Sequence, residues 1–254
     1  MELLRFHWWR TVFYLIPAIS VYTIVLGAMS IASSLFDKTG HFAHRCARWW
    51  SWWILKTTRV HVTVEGLERL EPDRTYIFVS NHQSTYDIPV VFDSLPFQLR
   101  IIAKDSLANF PVLGWHLKTG GHLFVDRKHP DHDGILGRWR RLVDDGLSLI
   151  IFPEGTRSWT GEVGRFKSGS FLLALEAGLP VVPVAVCGTR RVMAKGNLRT
   201  EPAQVTLVIH DPIVPPRLEH PTIRDAKALA DQARAVVVPT VQARNGEQPP
   251  VPAH

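Results

Sequence analysis

Thr75–Asp87, TYIFVSNHQSTYD, runs from an apolar, β-branched and aromatic segment into a polar loop and then into an amphipathic stretch. It reads as a strand over 75 to 80, a loop holding Asn81 to Ser84, and a helix starting close to Asp87, because Pro89 imposes an extended preference on Ile88. On an ideal helix two residues five apart differ by about 140° around the axis, so His82 and Asp87 could not face each other if both were helical. With His82 in the loop, its ring can fold back over the helix N-terminus towards the carboxylate. Asp87 would then accept from one imidazole nitrogen and leave the other free to take a proton from a substrate hydroxyl. A plainer arrangement uses the same residues: Ser84 caps the helix, Asp87 is favoured by the helix dipole, and His82 is a loop histidine. This stretch alone leaves both readings open.

The strand-to-helix alternation repeats outward from it. Further strands are expected at 60 to 65, 99 to 103, 122 to 126, 148 to 152, 180 to 186 and 204 to 210, with helices at about 86 to 95, 132 to 145, 167 to 177 and 223 to 237. Gly146 and Gly178 stand where helices should stop, and Pro180 follows the second. This is the pattern of an α/β sheet with crossover helices. Residues 59–240 form one catalytic-sized domain on this reading, and 241–254 form a tail, rich in proline and polar residues from Asn245, that is expected to be disordered.

Residues 1–58 are different in kind. Thr11 to Phe36 carries no charged side chain, and as a helix it would reach roughly 39 Å, enough to cross a hydrocarbon layer about 30 Å thick. A cleaved signal peptide would explain Arg5, Arg10 and the small residues Ala32 to Ser34, but the apolar run is longer than the usual signal core, so an anchor is expected. Pro17 and Gly27 interrupt the run and allow it to bend and re-enter instead of crossing. His41 to Val60 cannot span, because Arg45, Arg48 and Lys56 would be stranded in lipid. Its tryptophans, Trp49, Trp50, Trp52 and Trp53, mixed with basic residues, read as a helix at the headgroup level.

The composition agrees. The chain has 254 residues, a formal net charge of +6 and nine tryptophans, which suits an anionic surface and favours lipid over nucleic acid. Cys46 and Cys187 are the only cysteines and lie far apart in the chain, so neither a disulfide framework nor a zinc site is indicated.

A second informative segment is IIFPEGTRS, Ile150 to Ser158. A strand ends in Pro153, and the turn of Glu154, Gly155, Thr156 and Arg157 falls at its carboxyl end, where open α/β sheets place ligands. Gly155 permits a tight turn with exposed N–H groups, Thr156 adds a hydroxyl, and Arg157 offers a forked donor suited to phosphate. An ordinary exposed turn with Glu154 paired to Arg157 fits equally. Lys104 and Arg127 each lie at or just beyond a strand end, where they could face the same edge as His82 and Arg157, or remain solvated surface charges.

Taken together these blocks resemble the glycerolipid acyltransferase family of 1-acyl-sn-glycerol-3-phosphate acyltransferases. NHQSTYD (81 to 87) is similar to its NHxxxxD block, KDSLANFPVLGW (104 to 115) with GGHLFVDR (120 to 127) to its second, FPEGTRS (152 to 158) to its third and VVPVAV (181 to 186) to its fourth. Order and spacing agree over about Tyr76 to Thr189, and four blocks in order are far more specific than any one. The resemblance implies an α/β fold with a central mixed sheet of about seven strands flanked by helices, behind an N-terminal membrane-associated two-helix motif.

It also implies roles. His82 would be the general base on the free hydroxyl of lysophosphatidic acid, oriented by Asp87, with no covalent intermediate and no metal. Arg157, with Lys104 and Arg127, would hold the acceptor phosphate, and Glu154, Gly155 and Thr156 would shape that site. No cofactor is implied beyond the co-substrate, an acyl-CoA or acyl-carrier protein thioester. The expected partners are that donor, lysophosphatidic acid and a bilayer, on the cytoplasmic face of a bacterial inner membrane. The alternatives are the same chemistry on glycerol-3-phosphate, another lysophospholipid or a lyso-aminolipid, and a non-catalytic protein that binds anionic lipid. A serine or thiol hydrolase fits less well, since Ser84 lies in no GxSxG elbow and neither cysteine lies beside a candidate base.

Overall fold

The structure, a computed structural model, describes residues 7–126 and 132–246. Its strands are β1 (Val60–Glu65), β2 (Ile77–Ser80), β3 (Leu99–Lys104), β4 (Leu123–Val125), β5 (Ser148–Ile151), β6 (Val181–Cys187) and β7 (Ala203–Ile209). Its helices are α1 (His7–Ser33), α2 (His41–Thr58), α3 (Asp87–Ser94), α4 (Leu113–Thr119), α5 (His132–Asp144), α6 (Gly169–Ala177), α7 (Thr189–Val192) and α8 (Ile223–Gly246). The strands form one sheet in the order β1-β7-β6-β2-β5-β3-β4, parallel at every pair except β6 with β7. The mixed seven-strand sheet expected from the sequence is therefore present.

Side chains alternate across that sheet and both faces are covered, so the central strands read as nearly continuous apolar runs. Ile77, Val79, Leu149, Ile151 and Val181 pack with α5, α6 and α8 on one face. Phe78, Ile150, Val182, Val184 and Leu207 pack with α2 and α3 on the other. The connection leaving β2 thus departs on one face through α3, and that leaving β5 departs on the other through α6. A crevice opens between such strands at their carboxyl ends.

Helix α8 corrects the sequence reading, which ended it at 237 and began a disordered tail at 241. It continues through Pro239 to Gly246, and the rest of that tail, 247–254, lies outside the described residues. An interior proline costs about 3 kcal/mol in an isolated helix. Here Pro239 is exposed, while Val237 and Val241 on the opposite side are 0% and 1% exposed against the sheet. Burying two valines offsets that cost at roughly 1.5–3 kcal/mol each. Arg244 then reaches Glu65 of β1 at 2.6 Å.

Helix α1 is long and apolar enough to cross a membrane by length and composition, with a mean hydropathy of 2.0 in its best window. It runs unbroken through both residues at which the sequence suggested a bend. Pro17 follows a π-helical turn, Thr11–Leu15, whose wider ring accommodates a residue that has no N–H to give. Gly27 lies so close to Val112 that an added Cβ would overlap it. The chain reverses at Asp37, whose Oδ1 accepts the Gly40 N–H at 3.0 Å and whose Oδ2 accepts the Phe42 N–H at 2.6 Å in the first turn of α2. The two helices are tied by Trp50 Nε1 donating to Thr23 Oγ1 at 2.9 Å and Arg10 donating to the Thr58 carbonyl at 3.0 Å. Their outer surface exposes Phe13, Val21, Ile24 and Val25 together with Trp49, Trp52 and Trp53.

This hairpin is fastened to the domain by Arg100 of β3, which is 1% exposed and donates to the Thr39 carbonyl at 2.8 Å. Around it lie His44, His116 and His122, with His116 Nδ1 2.6 Å from Ser30 Oγ of α1. Burial first, and the neighbouring guanidinium second, push His44 down to about 3 and His116 down to about 4. These imidazoles are neutral when folded but titrate near 6.5 when unfolded, so below about 6.5 the unfolded chain binds more protons. Their contribution is complete above that value and is lost as pH falls towards 4. Thermal unfolding is therefore expected to drop by roughly 5–10 °C between pH 6.5 and 4, less steeply in His116→Gln, and a flat profile would contradict it.

Candidate active site

Strand β2 ends in the middle of the sheet, and Asn81 locks its end to β6. The Asn81 amide donates to the Val186 carbonyl and accepts the Val186 N–H, each at 2.8 Å. His82 follows in the loop, with its Nδ1 2.7 Å from Asp87 Oδ2. That oxygen also accepts the N–H groups of Gln83 at 2.7 Å and Ser84 at 2.9 Å, and Asp87 Oδ1 accepts the Thr189 hydroxyl at 2.5 Å. The carboxyl group is 0% exposed and its Oδ2 already accepts two backbone N–H groups, so Nδ1 carries the imidazole proton towards it. Nε2 is left with its lone pair. The ring lies against Phe152 at 4.4 Å between centroids, and its side chain is 16% exposed. The plainer reading holds only in part: α3 has no side-chain cap, the Ser84 hydroxyl donates to the Met193 carbonyl at 2.7 Å, and the Ser84 N–H, just ahead of the helix, shares Asp87 Oδ2 with His82.

The turn after β5 grips the other side of His82. Glu154 does not pair with Arg157 as a surface turn would have it. Its Oε1 accepts the His82 N–H at 2.8 Å and its Oε2 accepts the Gly164 N–H at 2.9 Å, and burial raises its pKa. The Ser158 N–H donates to the His82 carbonyl at 2.8 Å, so both backbone groups of His82 are bound by this turn. Gly155 adopts φ +72°, open to glycine at no steric cost, and its N–H closes the turn on the Phe152 carbonyl at 3.0 Å instead of facing outward. Thr156 Oγ1 accepts from Lys195 Nζ at 2.9 Å, and Arg157 donates to Thr85 Oγ1 at 2.7 Å. His82, Asp87, Glu154, Gly155, Thr156 and Arg157 are thus brought together at one sheet edge.

Lys104 ends β3 at the same edge, two strands from β2, and is exposed. Arg127 lies outside the described residues. Several contributors were not singled out in the sequence. Thr189 fixes the Asp87 carboxylate, and its only sequence signal is its place just after the VVPVAV block. Lys195 also donates to the Arg157 carbonyl at 2.8 Å and sits 4.5 Å from the Trp159 ring centroid, with no motif to announce it. Both cysteines are buried and free, and desolvation pushes Cys46 up to about 11 and Cys187 up to about 12, which makes neither a nucleophile.

His82, Asp87 and the Glu154–Arg157 turn fall inside residues 61–187, which match the family model described as Acyltransferase, while Thr189 and Lys195 lie just beyond them. The chain belongs to the acyltransferase family. Other acyltransferases similar to it include a 1-acyl-sn-glycerol-3-phosphate acyltransferase of Chlamydomonas reinhardtii, 35% identical over 69% of this chain and 52% of the relative. The alpha form of the enzyme of that name from Homo sapiens is 31% identical over 69% of this chain and 62% of the relative. This acyltransferase chain therefore spans only about half to three fifths of the length of these curated relatives. It also matches the crystal structure of the 1-acyl-sn-glycerophosphate (LPA) acyltransferase of Thermotoga maritima, with a TM-score of 0.77 and 27% identity over 92% of this chain and 94% of that one.

Proposed function

We propose that the protein transfers an acyl group from a thioester to the free hydroxyl of 1-acyl-sn-glycerol-3-phosphate, giving phosphatidic acid. The observation that carries this reading is the 2.7 Å bond from His82 to a carboxylate that is 0% exposed, which leaves an imidazole nitrogen free beside the turn bearing Arg157. Nε2 takes the hydroxyl proton as the oxygen attacks the thioester carbonyl. The tetrahedral intermediate then collapses, the C–S bond breaks, and the departing thiolate receives the proton back from the imidazolium. Asp87 stabilises that imidazolium without being protonated, and no covalent enzyme intermediate is required. Arg157, with Lys104 and Arg127, holds the acceptor phosphate by charge-assisted hydrogen bonds. The exposed tryptophans and aliphatic residues of α1 and α2 support a seat at a bilayer surface, where a lysolipid acceptor resides, and we place that seat on the cytoplasmic side, where a soluble donor arrives.

The deciding measurement is incubation of the purified chain with lysophosphatidic acid and an isotopically labelled acyl thioester, with products identified by mass. Labelled phosphatidic acid is the expected result. Its absence while the donor stays intact overturns the reaction, and transfer only to a phosphate-free lysolipid overturns the acceptor.

A further inference from the structure

A groove of about 590 Å³ lies beside the dyad and is used by nothing described so far. Its lining includes Gln83, the neighbour of His82, and Gly188, the neighbour of Thr189. Arg190 and Arg191 line it from α7, Arg234 from α8, and Val238 and Val241 give it an apolar flank. Among the described residues no carboxylate lies within ion-pair distance of these three arginines. Glu162 at the rim is exposed and leaves the groove cationic.

The arginines are positioned but not satisfied. Arg234 gives Nε and one terminal nitrogen to the carbonyls of Gly164 and Val163, at 2.7 and 2.9 Å, which fixes the guanidinium and leaves its second terminal nitrogen for a ligand. Arg190 gives one terminal nitrogen to the Trp159 carbonyl at 2.7 Å, while its buried Nε has no partner. A volume of this size suits a small organic ligand, and several guanidinium groups beside two valines suit one that carries phosphate next to an apolar portion.

The side on which the groove lies distinguishes the two substrates. It is walled by α8, which packs on the sheet face opposite the one covered by α2 and α3, the hairpin side. A lipid acceptor would come from the hairpin side, and a soluble phosphate-bearing ligand from the other. Resting on the acyl-transfer reading above, we infer that this groove binds the phosphopantetheine-bearing end of the acyl thioester donor, with Arg190, Arg191 and Arg234 as its phosphate ligands. Coenzyme A and acyl-carrier protein share that chemistry.

Arg191→Gln is the cleanest probe, because among the described residues no side-chain hydrogen bond from Arg191 holds the fold together. With the full chain, the KM for palmitoyl-CoA, for palmitoyl-carrier protein or for both is expected to rise about tenfold, while the KM for lysophosphatidic acid stays within about twofold. Arg191→Lys should recover part of the loss, and the donor affected identifies the source of the phosphopantetheine. Unchanged KM values for both donors, or a rise in the acceptor KM instead, overturn the assignment. Calorimetric titration of CoA and of holo-carrier protein onto the same proteins needs no turnover. Weakening of either by about tenfold supports the groove even if the wild-type chain makes no phosphatidic acid, and undiminished binding of both overturns it.

Discussion

Replacing His82 with alanine is expected to lower kcat by about 10²- to 10⁴-fold, the range for loss of a positioned general base, with little change in the KM of either substrate. The size follows from the position of the ring, which is aimed by Asp87 and backed by Phe152. Folding should survive, since among the described residues the side chain makes one hydrogen bond and its backbone contacts to Glu154 and Ser158 remain. The measurement is steady-state transfer to lysophosphatidic acid alongside thermal unfolding of both proteins. Wild-type kcat in a folded variant would remove His82 from the chemistry and favour a protein that only binds anionic lipid.

Asp87→Asn should be the more damaging substitution, because it acts on turnover and on the fold together. The carboxylate accepts from His82, Gln83 and Ser84 on one oxygen and from Thr189 on the other. An amide has only one accepting oxygen. If it faces the first three donors, its NH₂ meets the Thr189 hydroxyl, which must turn to accept. If it is flipped, its NH₂ opposes two backbone N–H groups and drives His82 into the wrong tautomer. Either way the negative charge that stabilises the imidazolium is gone, and a kcat loss of about 10³- to 10⁴-fold is expected. Weakening several buried bonds to a charged acceptor should also cost about 2–3 kcal/mol of stability, or roughly 5–10 °C in Tm. A variant with native Tm and a kcat within about tenfold of wild type would contradict both arguments.

The sheet was legible because each strand is a short β-branched run bounded by turn residues, and every expected strand is present within two residues of its bounds. The His82–Asp87 contact was legible for a local reason: five residues across a loop-to-helix junction leave one geometry in which the two can meet. What the sequence concealed is the company they keep. Thr189 lies 102 residues from Asp87, and Asn81 lies 105 from Val186, contacts created only when β6 pairs with β2. The Glu154 carboxylate reads locally as a partner for Arg157, yet an ion pair in solvent gives little, whereas two backbone N–H groups of the folded loops would otherwise go unpaired. The length of α8 was hidden in the same way, since Pro239 signals an end that only the packing of Val237 and Val241 overrides.

The clamp on the His82 backbone has an implication for selectivity. On the proposed assignment of Arg157 to the acceptor phosphate, the segment that carries that residue also holds the peptide groups on either side of the His82 α-carbon, through Glu154 and Ser158. An acceptor that pulls this segment into place therefore registers the imidazole in the same motion. One with nothing to offer the arginine would then be penalised in the rate at which it reacts, beyond how often it is bound, and the proposed site would discriminate between headgroups in the chemical step itself.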